Sequence, residues 1–353
     1  ALGLPRPWDQ QWSMRMQQIM AFETDLLEYE DLFEGNQVVE AKVESLKASA
    51  RYELETIETQ GGALNAIDYM KSRLVESNTD RLQNIESNVT TVVGVNKFTK
   101  TEKSPLVSGD GGIMTVDPAV EKDQIDRLNQ WRTNRNKKLV NKALLSLRQA
   151  ALHGKNIMLP SIEAAKAGAT TGEWAQEMRN IYGEYRGPTG VATGISNKTD
   201  GLDELRSAVD AVSDKLGERL KFLMGKPGLD GHSNGAEQIA SRARDCGMKI
   251  EYQGIRLTPQ ELVESVKSTK AHVVGLSILS GSHLPLVQDM INLLAKEGLT
   301  KIPIVVGGII PEEDKLKLLE MGISKVYTPK DFEMNTIMMD IVNLAEPKEI
   351  AAE

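Results

Sequence analysis

The feature that most constrains the fold is a regular alternation of apolar and amphipathic segments over residues 217–353. Five short apolar runs, the first RLKFLMG and the last SKVYT, each precede a segment whose apolar residues recur at helical spacing. Strands that are apolar along their whole length are typical of a parallel sheet covered on both faces. The alternation therefore predicts an α/β fold with a doubly wound, five-stranded parallel sheet.

The residues before this alternation divide into two further parts. Residues 1–98 carry segments of helical spacing, the second of which should end at Gly61 and Gly62, and they close with TTVVGVNKF, which predicts a short strand. Residues 99–216 begin with a connector rich in Gly, Ser and Pro (Thr99–Pro118) and continue with four amphipathic helices. The sequence thus predicts a helical region, an extended and helical linker, and an α/β domain at 217–353.

Composition narrows the possible functions. A net charge of −8 over 353 residues disfavours a nucleic-acid partner, which would need a basic face. No apolar run approaches the ~20 residues of a membrane span, and the first residues lack the core of a signal peptide. The single cysteine, Cys246, excludes an internal disulfide and is expected to be buried. We expect a cytoplasmic protein, and a chain that starts in mid-pattern suggests a piece of a longer one.

Glycine-rich turns follow the predicted strands. In doubly wound sheets, ligands bind beyond the carboxyl ends of the strands, where the strand order reverses. GKPGLDGHSNGAEQ follows the first strand, and Ser277–His283, Gly307–Pro311 and Tyr327–Asp331 follow the third, fourth and fifth. Glycines at this edge would let a large ligand approach the backbone. The first turn has neither the Lys-Ser/Thr of a Walker loop nor Gly-x-Gly-x-x-Gly spacing.

His232 lies in the most glycine-rich of these turns, two residues after Asp230. At that spacing the carboxylate can reach one imidazole nitrogen and leave the other facing outward as a metal ligand, and such a carboxylate raises the basicity of the ligand. Lys226 could hold Asp230 ionised. A single protruding ligand suits a metal carried in an organic cofactor, since free zinc needs three or four protein ligands. The alternative is a histidine that is simply hydrogen-bonded.

The spacing Asp230, His232 and Gly235 (Asp-x-His-x-x-Gly) resembles the signature of cobalamin-binding domains, which share a flavodoxin-like fold. Ser277-x-Leu279 and Gly307-Gly308 resemble the second and third parts of that signature. The resemblance implies that His232 Nε2 replaces the cofactor's own base as the lower ligand of cobalt. The displaced dimethylbenzimidazole tail would then run down between the first and third strands.

The resemblance also implies the residues that line the tail. They are small or apolar residues of the turns and strands, together with one tyrosine: Gly231, Gly235, Ile239, Gly275, Ser277, Leu279, Gly307, Gly308 and Tyr327. Lys226 and Asp230 are expected to support His232 beside them. A valine at Gly308 is expected to obstruct the tail and to spare the sheet.

The resemblance extends upstream. The end of the substrate barrel of acyl-CoA mutases resembles two stretches of this chain, GGALNAIDYMKSRLVESNTDRLQNIES and VVGVNKF. The helices up to about residue 187 are similar to the interdomain linker of these mutases. Residues 1–98 would then be the end of an incomplete (β/α)8 barrel, because a complete one needs on the order of 250 residues. YMKSRLVES and SPLVSGDGGIM are most similar to the mutases that act on ethylmalonyl-CoA.

This resemblance implies an adenosylcobalamin-dependent radical isomerisation of a branched dicarboxylic acyl-CoA. Ethylmalonyl-CoA converted to methylsuccinyl-CoA is the expected reaction, and methylmalonyl-CoA is the alternative substrate. The acyl-CoA would bind through the barrel, the complete protein would be a homodimer, and the chain alone is expected to be inactive. No catalytic residue on the substrate side is identifiable.

Two functions of other classes stay open at this stage. One is a corrinoid carrier for methyl transfer, whose helical cap the helices at 121–185 could form. The other is a non-catalytic module of the receiver type, which shares the topology of the doubly wound sheet.

Overall fold

The computed structural model describes residues 6–100, 117–184, 202–331 and 333–347. Contacts divide the chain into two compact units, one drawn from residues 1–114 and 188–353 and the other from 115–187. The connector predicted at Thr99–Pro118 lies outside the described residues except at its two ends. Within the described residues, no helix is long and apolar enough to cross a membrane.

The sheet of the first unit has five parallel strands in the order β2-β1-β3-β4-β5. They are β1 (Lys221–Gly225), β2 (Lys249–Tyr252), β3 (Val273–Ile278), β4 (Ile304–Gly308) and β5 (Lys325–Tyr327). The order reverses between β1 and β3, as in a doubly wound sheet. Ser277 of β3 is paired with Gly307 of β4, which is paired in turn with Tyr327 of β5. The predicted fold class is confirmed.

Helices cover both faces of this sheet. They are α8 (Leu202–Leu216), α9 (Asn234–Asp245), α10 (Pro259–Thr269), α11 (His283–Lys296), α12 (Glu312–Glu320) and α13 (Met334–Ala345). Phe222 and Met224 of β1 enter the apolar cluster beneath α8, α9 and α13, whereas Leu223 enters the cluster beneath α10, α11 and α12. Alternate residues of one strand therefore serve two cores, which explains why the strand is apolar throughout.

Helix α8 is an element that the sequence analysis did not identify, because it assigned these residues to the linker. Leu202, Leu205, Val209 and Val212 are buried at spacings of three and four residues and pack in the cluster shared with α13. This spacing is the amphipathic helical pattern. It was present in the sequence and could have revealed the helix.

Residues 6–100 are mostly helical, as predicted. They form α1 (Pro7–Phe22), a short 3-10 helix (Leu26–Glu28), α2 (Gln37–Thr59) and α3 (Ile67–Glu86). Gly61 and Gly62, with φ of 91° and 88°, follow the end of α2 at the predicted place.

The predicted strand at residues 90–98 is wrong. The segment is a tight turn around Gly94, whose φ is 79°. Asn96 organises it: its side chain accepts a hydrogen bond from Val92 N and donates to the carbonyl oxygens of Ile85 and Thr90, each at 2.8 Å. Asparagine side chains compete in this way with the backbone pairing of a strand.

In its described residues, 117–184, the second unit consists of four helices, as predicted for the linker. They are α4 (Pro118–Asn134), α5 (Lys137–Leu152), α6 (Met158–Ala167) and α7 (Thr171–Tyr182). Thr170 and Glu173 form a capping box at the start of α7. Arg135 reinforces this start, because its Nη1 donates to Glu173 Oε2 at 2.6 Å.

Candidate functional site

The Asp230 carboxylate, in the turn after β1, is the centre of a hydrogen-bond network. Its Oδ1 accepts from the backbone N of His232 at 3.0 Å and lies 2.6 Å from His232 Nδ1. Its Oδ2 lies 2.9 Å from Lys226 Nζ and accepts from Leu279 N at 3.1 Å. Burial by itself would raise the pKa of Asp230, but the hydrogen bonds from His232, Lys226 and Leu279 outweigh it and hold the pKa well below its usual range.

Lys226 supplies the positive charge beneath this carboxylate. Its side chain is fully buried, and its Nζ also donates to the carbonyl oxygen and Oγ of Ser277, at 2.9 and 3.1 Å. Burial lowers the pKa of Lys226, whereas the adjacent Asp230 carboxylate opposes that shift. The network therefore links the turn after β1 to the end of β3, and both segments belong to the predicted binding edge.

The His232 imidazole projects away from the protein. Its side chain is 79% exposed, although Asp230, which holds its Nδ1, is almost completely buried. An ionised carboxylate can only accept, so it selects the tautomer in which Nδ1 carries the hydrogen and Nε2 presents a lone pair outward. Such a nitrogen can coordinate a metal.

The surroundings of His232 do not form a conventional metal site. In the parts of the chain that the structure describes, no group of three or more His, Cys, Asp or Glu side chains could hold a metal ion. A metal bound at His232 would thus take its other ligands from elsewhere, as a corrin ring would provide them.

A groove of about 330 Å³ lies at the carboxyl edge of the sheet, between α9 and α13. Seven of the nine residues predicted to line the tail lie along it: Gly235, Ile239, Ser277, Leu279, Gly307, Gly308 and Tyr327. The groove is predominantly apolar, and small residues form much of its strand wall. Four further lining residues belong to turns already predicted at the binding edge: Ile309, Thr328, Pro329 and Asp331. The others were not identified from the sequence: Leu82, Met224, Gln238, Met334 and Ile337.

Gly231 and Gly275 are not brought to the groove. A Cβ at Gly275 would lie 2.6 Å from Phe222 Cζ, so this glycine makes room for a core aromatic ring. A Cβ at Gly231 would lie 3.3 Å from an Nη of Arg256. The sequence motif does not distinguish glycines that admit a ligand from glycines that admit a neighbouring side chain.

The adjacent glycines Gly307 and Gly308 have different roles. A Cβ at Gly307 would meet nothing closer than Tyr327 Cβ at 4.0 Å, so that position is open. A Cβ at Gly308 would lie 1.8 Å from the carbonyl oxygen of Ile278 on the neighbouring strand. The expectation that a valine at Gly308 would spare the sheet is therefore wrong, and Gly307 is the position where a side chain would enter the groove.

Helix α3 completes the far side of the groove. Leu82 lines it, and both ends of α3 bind the helices beside it. Lys71 Nζ lies 2.8 Å from Glu237 Oε1 and donates to Ser233 Oγ at 3.1 Å. At the other end, Glu86 Oε1 accepts from the backbone N of Met334, the first residue of α13, at 2.9 Å.

Comparison with known proteins gives the family. Residues 1–184, about half of the chain, match the family model for methylmalonyl-CoA mutase. The chain belongs to the methylmalonyl-CoA mutase family. Residues 220–330 match the B12 binding domain, which contains the Asp230–His232 turn and most of the groove. The resemblance drawn from the sequence motifs is thereby confirmed at the level of the family.

Relatives with curated names are similar along the whole chain. The ethylmalonyl-CoA mutase of Cereibacter sphaeroides is 62% identical over 100% of this chain and 54% of the relative. The ethylmalonyl-CoA mutase of Methylorubrum extorquens is 54% identical over 98% of this chain and 50% of the relative. The methylmalonyl-CoA mutase of Escherichia coli is 29% identical over 98% of this chain and 49% of the relative. The chain spans about half the length of these proteins.

Proposed function

We propose that this chain supplies the cobalamin-binding part of an adenosylcobalamin-dependent acyl-CoA mutase, in which His232 Nε2 is the lower ligand of cobalt. One observation carries the proposal: the exposed imidazole of His232 is held by Asp230 Oδ1 at 2.6 Å through Nδ1, so Nε2 is available to a metal. When bound, adenosylcobalamin would supply the radical chemistry through its cobalt–carbon bond. The protein's part is to bind, orient and shield it.

The residues present fit this cofactor. Lys226 and Asp230 fix the tautomer and orientation of His232 from beneath, while the groove beside them offers about 330 Å³ for a displaced aromatic base. Gly235 and Gly307 leave open space along the groove, because a Cβ at either position would meet nothing closer than 4.0 Å. A predominantly apolar lining would bind a flat heteroaromatic base and exclude water from its faces.

The mutase assignment is favoured over the two other classes considered. A corrinoid carrier for methyl transfer or a receiver-like module would account for the α/β domain alone. The match of residues 1–184 to the methylmalonyl-CoA mutase family supports a mutase instead. We also propose that the complete protein is a cytoplasmic homodimer.

The proposed reaction is the isomerisation of ethylmalonyl-CoA to methylsuccinyl-CoA. The two ethylmalonyl-CoA mutases are 62% and 54% identical to this chain, whereas the methylmalonyl-CoA mutase is 29% identical. Described residues 6–100 include no strand of a substrate barrel, so we expect turnover only when such strands are supplied by further polypeptide. An anaerobic assay of that longer form should give a higher kcat/KM with ethylmalonyl-CoA than with methylmalonyl-CoA, and the reverse preference would contradict the proposed substrate.

Spectroscopy of bound cob(II)alamin tests the cobalt ligand. In the wild-type chain, electron paramagnetic resonance should show hyperfine splitting from a coordinated nitrogen of the protein. His232→Ala should remove that splitting and weaken binding. His153→Ala is the matched control, because His153 is also exposed but lies in the helical unit. An unchanged spectrum in His232→Ala would refute the assignment.

A further inference from the structure

Gln238 has a buried side-chain NH2 group, Nε2, without a protein partner. The residue lies on α9, is 5% exposed and lines the groove. Its Nε2 has no hydrogen-bond partner within the residues that the structure describes. Buried polar groups are nearly always paired, since an unpaired one loses the hydrogen bonds that water gave it in the unfolded chain. An unpaired donor at the wall of a binding groove therefore indicates that a bound ligand supplies its acceptor.

The other polar side chains along the groove already have hydrogen-bond partners. Ser277 Oγ accepts from Lys226 Nζ at 3.1 Å, and Tyr327 donates to Asp340 Oδ2 at 3.0 Å. Thr328 donates through Oγ1 to Asp331 Oδ2 at 3.1 Å. Gln238 thus differs from every other polar side chain described along the groove.

The position of Gln238 relative to His232 indicates which part of a ligand it would meet. Helix α9 begins at Asn234, two residues after His232, and Gln238 lies slightly more than one helical turn, about 6 Å, further along it. A corrin ring coordinated by His232 would lie outside the turn. Gln238 instead faces the groove that begins beside it.

We infer that Gln238 Nε2 donates a hydrogen bond to an acceptor atom of the cofactor's nucleotide tail. The inference rests on the proposed cobalamin function and deepens it. The tail of cobalamin carries phosphate oxygens, ribose oxygens and a ring nitrogen, all of which are acceptors. The cost of leaving the amide unpaired in the empty protein is then offset when the tail binds.

A rival explanation is a water molecule bound to Gln238 Nε2 in a separate cavity. Gln238 also lines a second cavity, of about 20 Å³, most of whose other lining residues are polar, among them Thr79, Gln83, Ser241 and Asp245. That is enough space for one water. If a water pairs with Gln238 Nε2, the amide stabilises the ligand-free protein. If Nε2 is unpaired, the amide destabilises the ligand-free protein. The two explanations therefore predict opposite effects on stability when the amide is removed.

The test compares stability and binding in Gln238→Met, which keeps the length of the side chain and removes its polar group. Without ligand, the variant should unfold at the same or a higher denaturant concentration than wild type. Its Kd for cobalamin should rise about tenfold, the effect of losing one hydrogen bond of typical strength. Its Kd for cobinamide, which lacks the nucleotide tail, should not change. Gln238→Glu, which places an acceptor against an acceptor, should weaken cobalamin binding further.

Other outcomes overturn the inference in distinguishable ways. If Gln238→Met raises the Kd for cobalamin and the Kd for cobinamide equally, the acceptor lies on the corrin ring. Loss of stability with unchanged cobalamin affinity would establish the internal water. If wild type fails to bind cobalamin, or His232→Ala does not change the cobalt spectrum, the proposed function itself fails. If His232→Ala acts as expected and Gln238→Met leaves the Kd for cobalamin unchanged, only the role of Gln238 is refuted.

Discussion

Lys71 Nζ lies 2.8 Å from Glu237 Oε1, and this ion pair joins a helix of the mutase segment to the first helix of the B12-binding domain. The Glu237 side chain is only 2% exposed, so its charge depends on Lys71 for compensation. Lys71 also donates to Ser233, the residue after His232. The mutase segment therefore helps to hold the turn that presents the proposed cobalt ligand.

Replacing Lys71 should destabilise the protein markedly. In Lys71→Met the buried Glu237 carboxylate loses its partner, and removing one member of a buried pair costs about 3 kcal/mol. Denaturant unfolding followed by circular dichroism measures this loss. Arg73→Met is the control on the same helix, because Arg73 pairs with Glu53 and Glu76 at the surface, where such pairs contribute below about 1 kcal/mol.

The double variant Lys71→Met/Glu237→Met distinguishes the free energy of the lost ion pair from the cost of an unpaired buried carboxylate. It should recover most of the stability, since no unpaired charge remains. Equal losses in Lys71→Met and Arg73→Met would show that Glu237 does not need Lys71.

Asp230→Asn should weaken cobalamin binding by roughly ten- to one-hundredfold, the usual effect of losing a group that orients a metal ligand. The amide keeps the shape of the carboxylate but cannot neutralise Lys226 and accept from both His232 and Leu279. The free energy of binding is measured by titration of the absorption spectrum of cobalamin. Asp203→Asn, a fully exposed carboxylate on α8, should bind cobalamin as wild type does. Wild-type affinity in Asp230→Asn would show that the network does not position His232.

Valine substitutions at the adjacent glycines should have opposite consequences. Gly307→Val should fold, because the position is open and valine suits a strand, and its side chain should raise the Kd for cobalamin at least about tenfold. Gly308→Val should not reach the native fold, since its Cβ would overlap the Ile278 carbonyl. Circular dichroism and cobalamin titration of both variants measure the two effects. Wild-type cobalamin affinity in a folded Gly307→Val would disprove the position of the groove, and a folded Gly308→Val would disprove the close contact with the Ile278 carbonyl.

Glu173 should make stability depend on pH in the acidic range. Its hydrogen bonds with Arg135 and Thr170 lower its pKa to about 2, below the usual carboxyl value. A carboxyl group with a lowered folded pKa stabilises the protein above its unfolded pKa and loses that contribution as pH falls toward about 2. Glu173→Gln should therefore cost on the order of 2 kcal/mol at pH 7, and its difference from wild type should shrink as pH falls below about 4.5.

Denaturant unfolding at pH 7 and at more acidic values measures the stability difference for Glu173. Glu163→Gln serves as its control, because that carboxylate pairs with Lys166 on an exposed helix face. A Glu173→Gln difference that stays constant with pH would exclude the lowered pKa.

The sequence by itself determined the α/β architecture and the centre of the candidate site. The central strands β1, β3 and β4 could be identified because burial on both faces leaves a run of apolar residues within each strand. The edge strands β2 and β5 are partly exposed, and their regular alternation with helices revealed them. The contact between Asp230 and His232 could be anticipated because two residues of one turn lie within reach whatever the rest of the chain does. Lys226, four residues from Asp230, was identified for the same reason.

The tertiary structure decided everything that depends on residues distant in the chain. Lys71 meets Glu237 across 166 positions of sequence, and Gln238 faces the groove because α9 packs with one particular side toward it. Gly275 and Gly307 look alike in sequence, yet one makes room for Phe222 and the other leaves the groove open. A periodic pattern in the sequence indicates which face of a segment is buried. Which atoms contact that face is determined only when the helices and strands pack together.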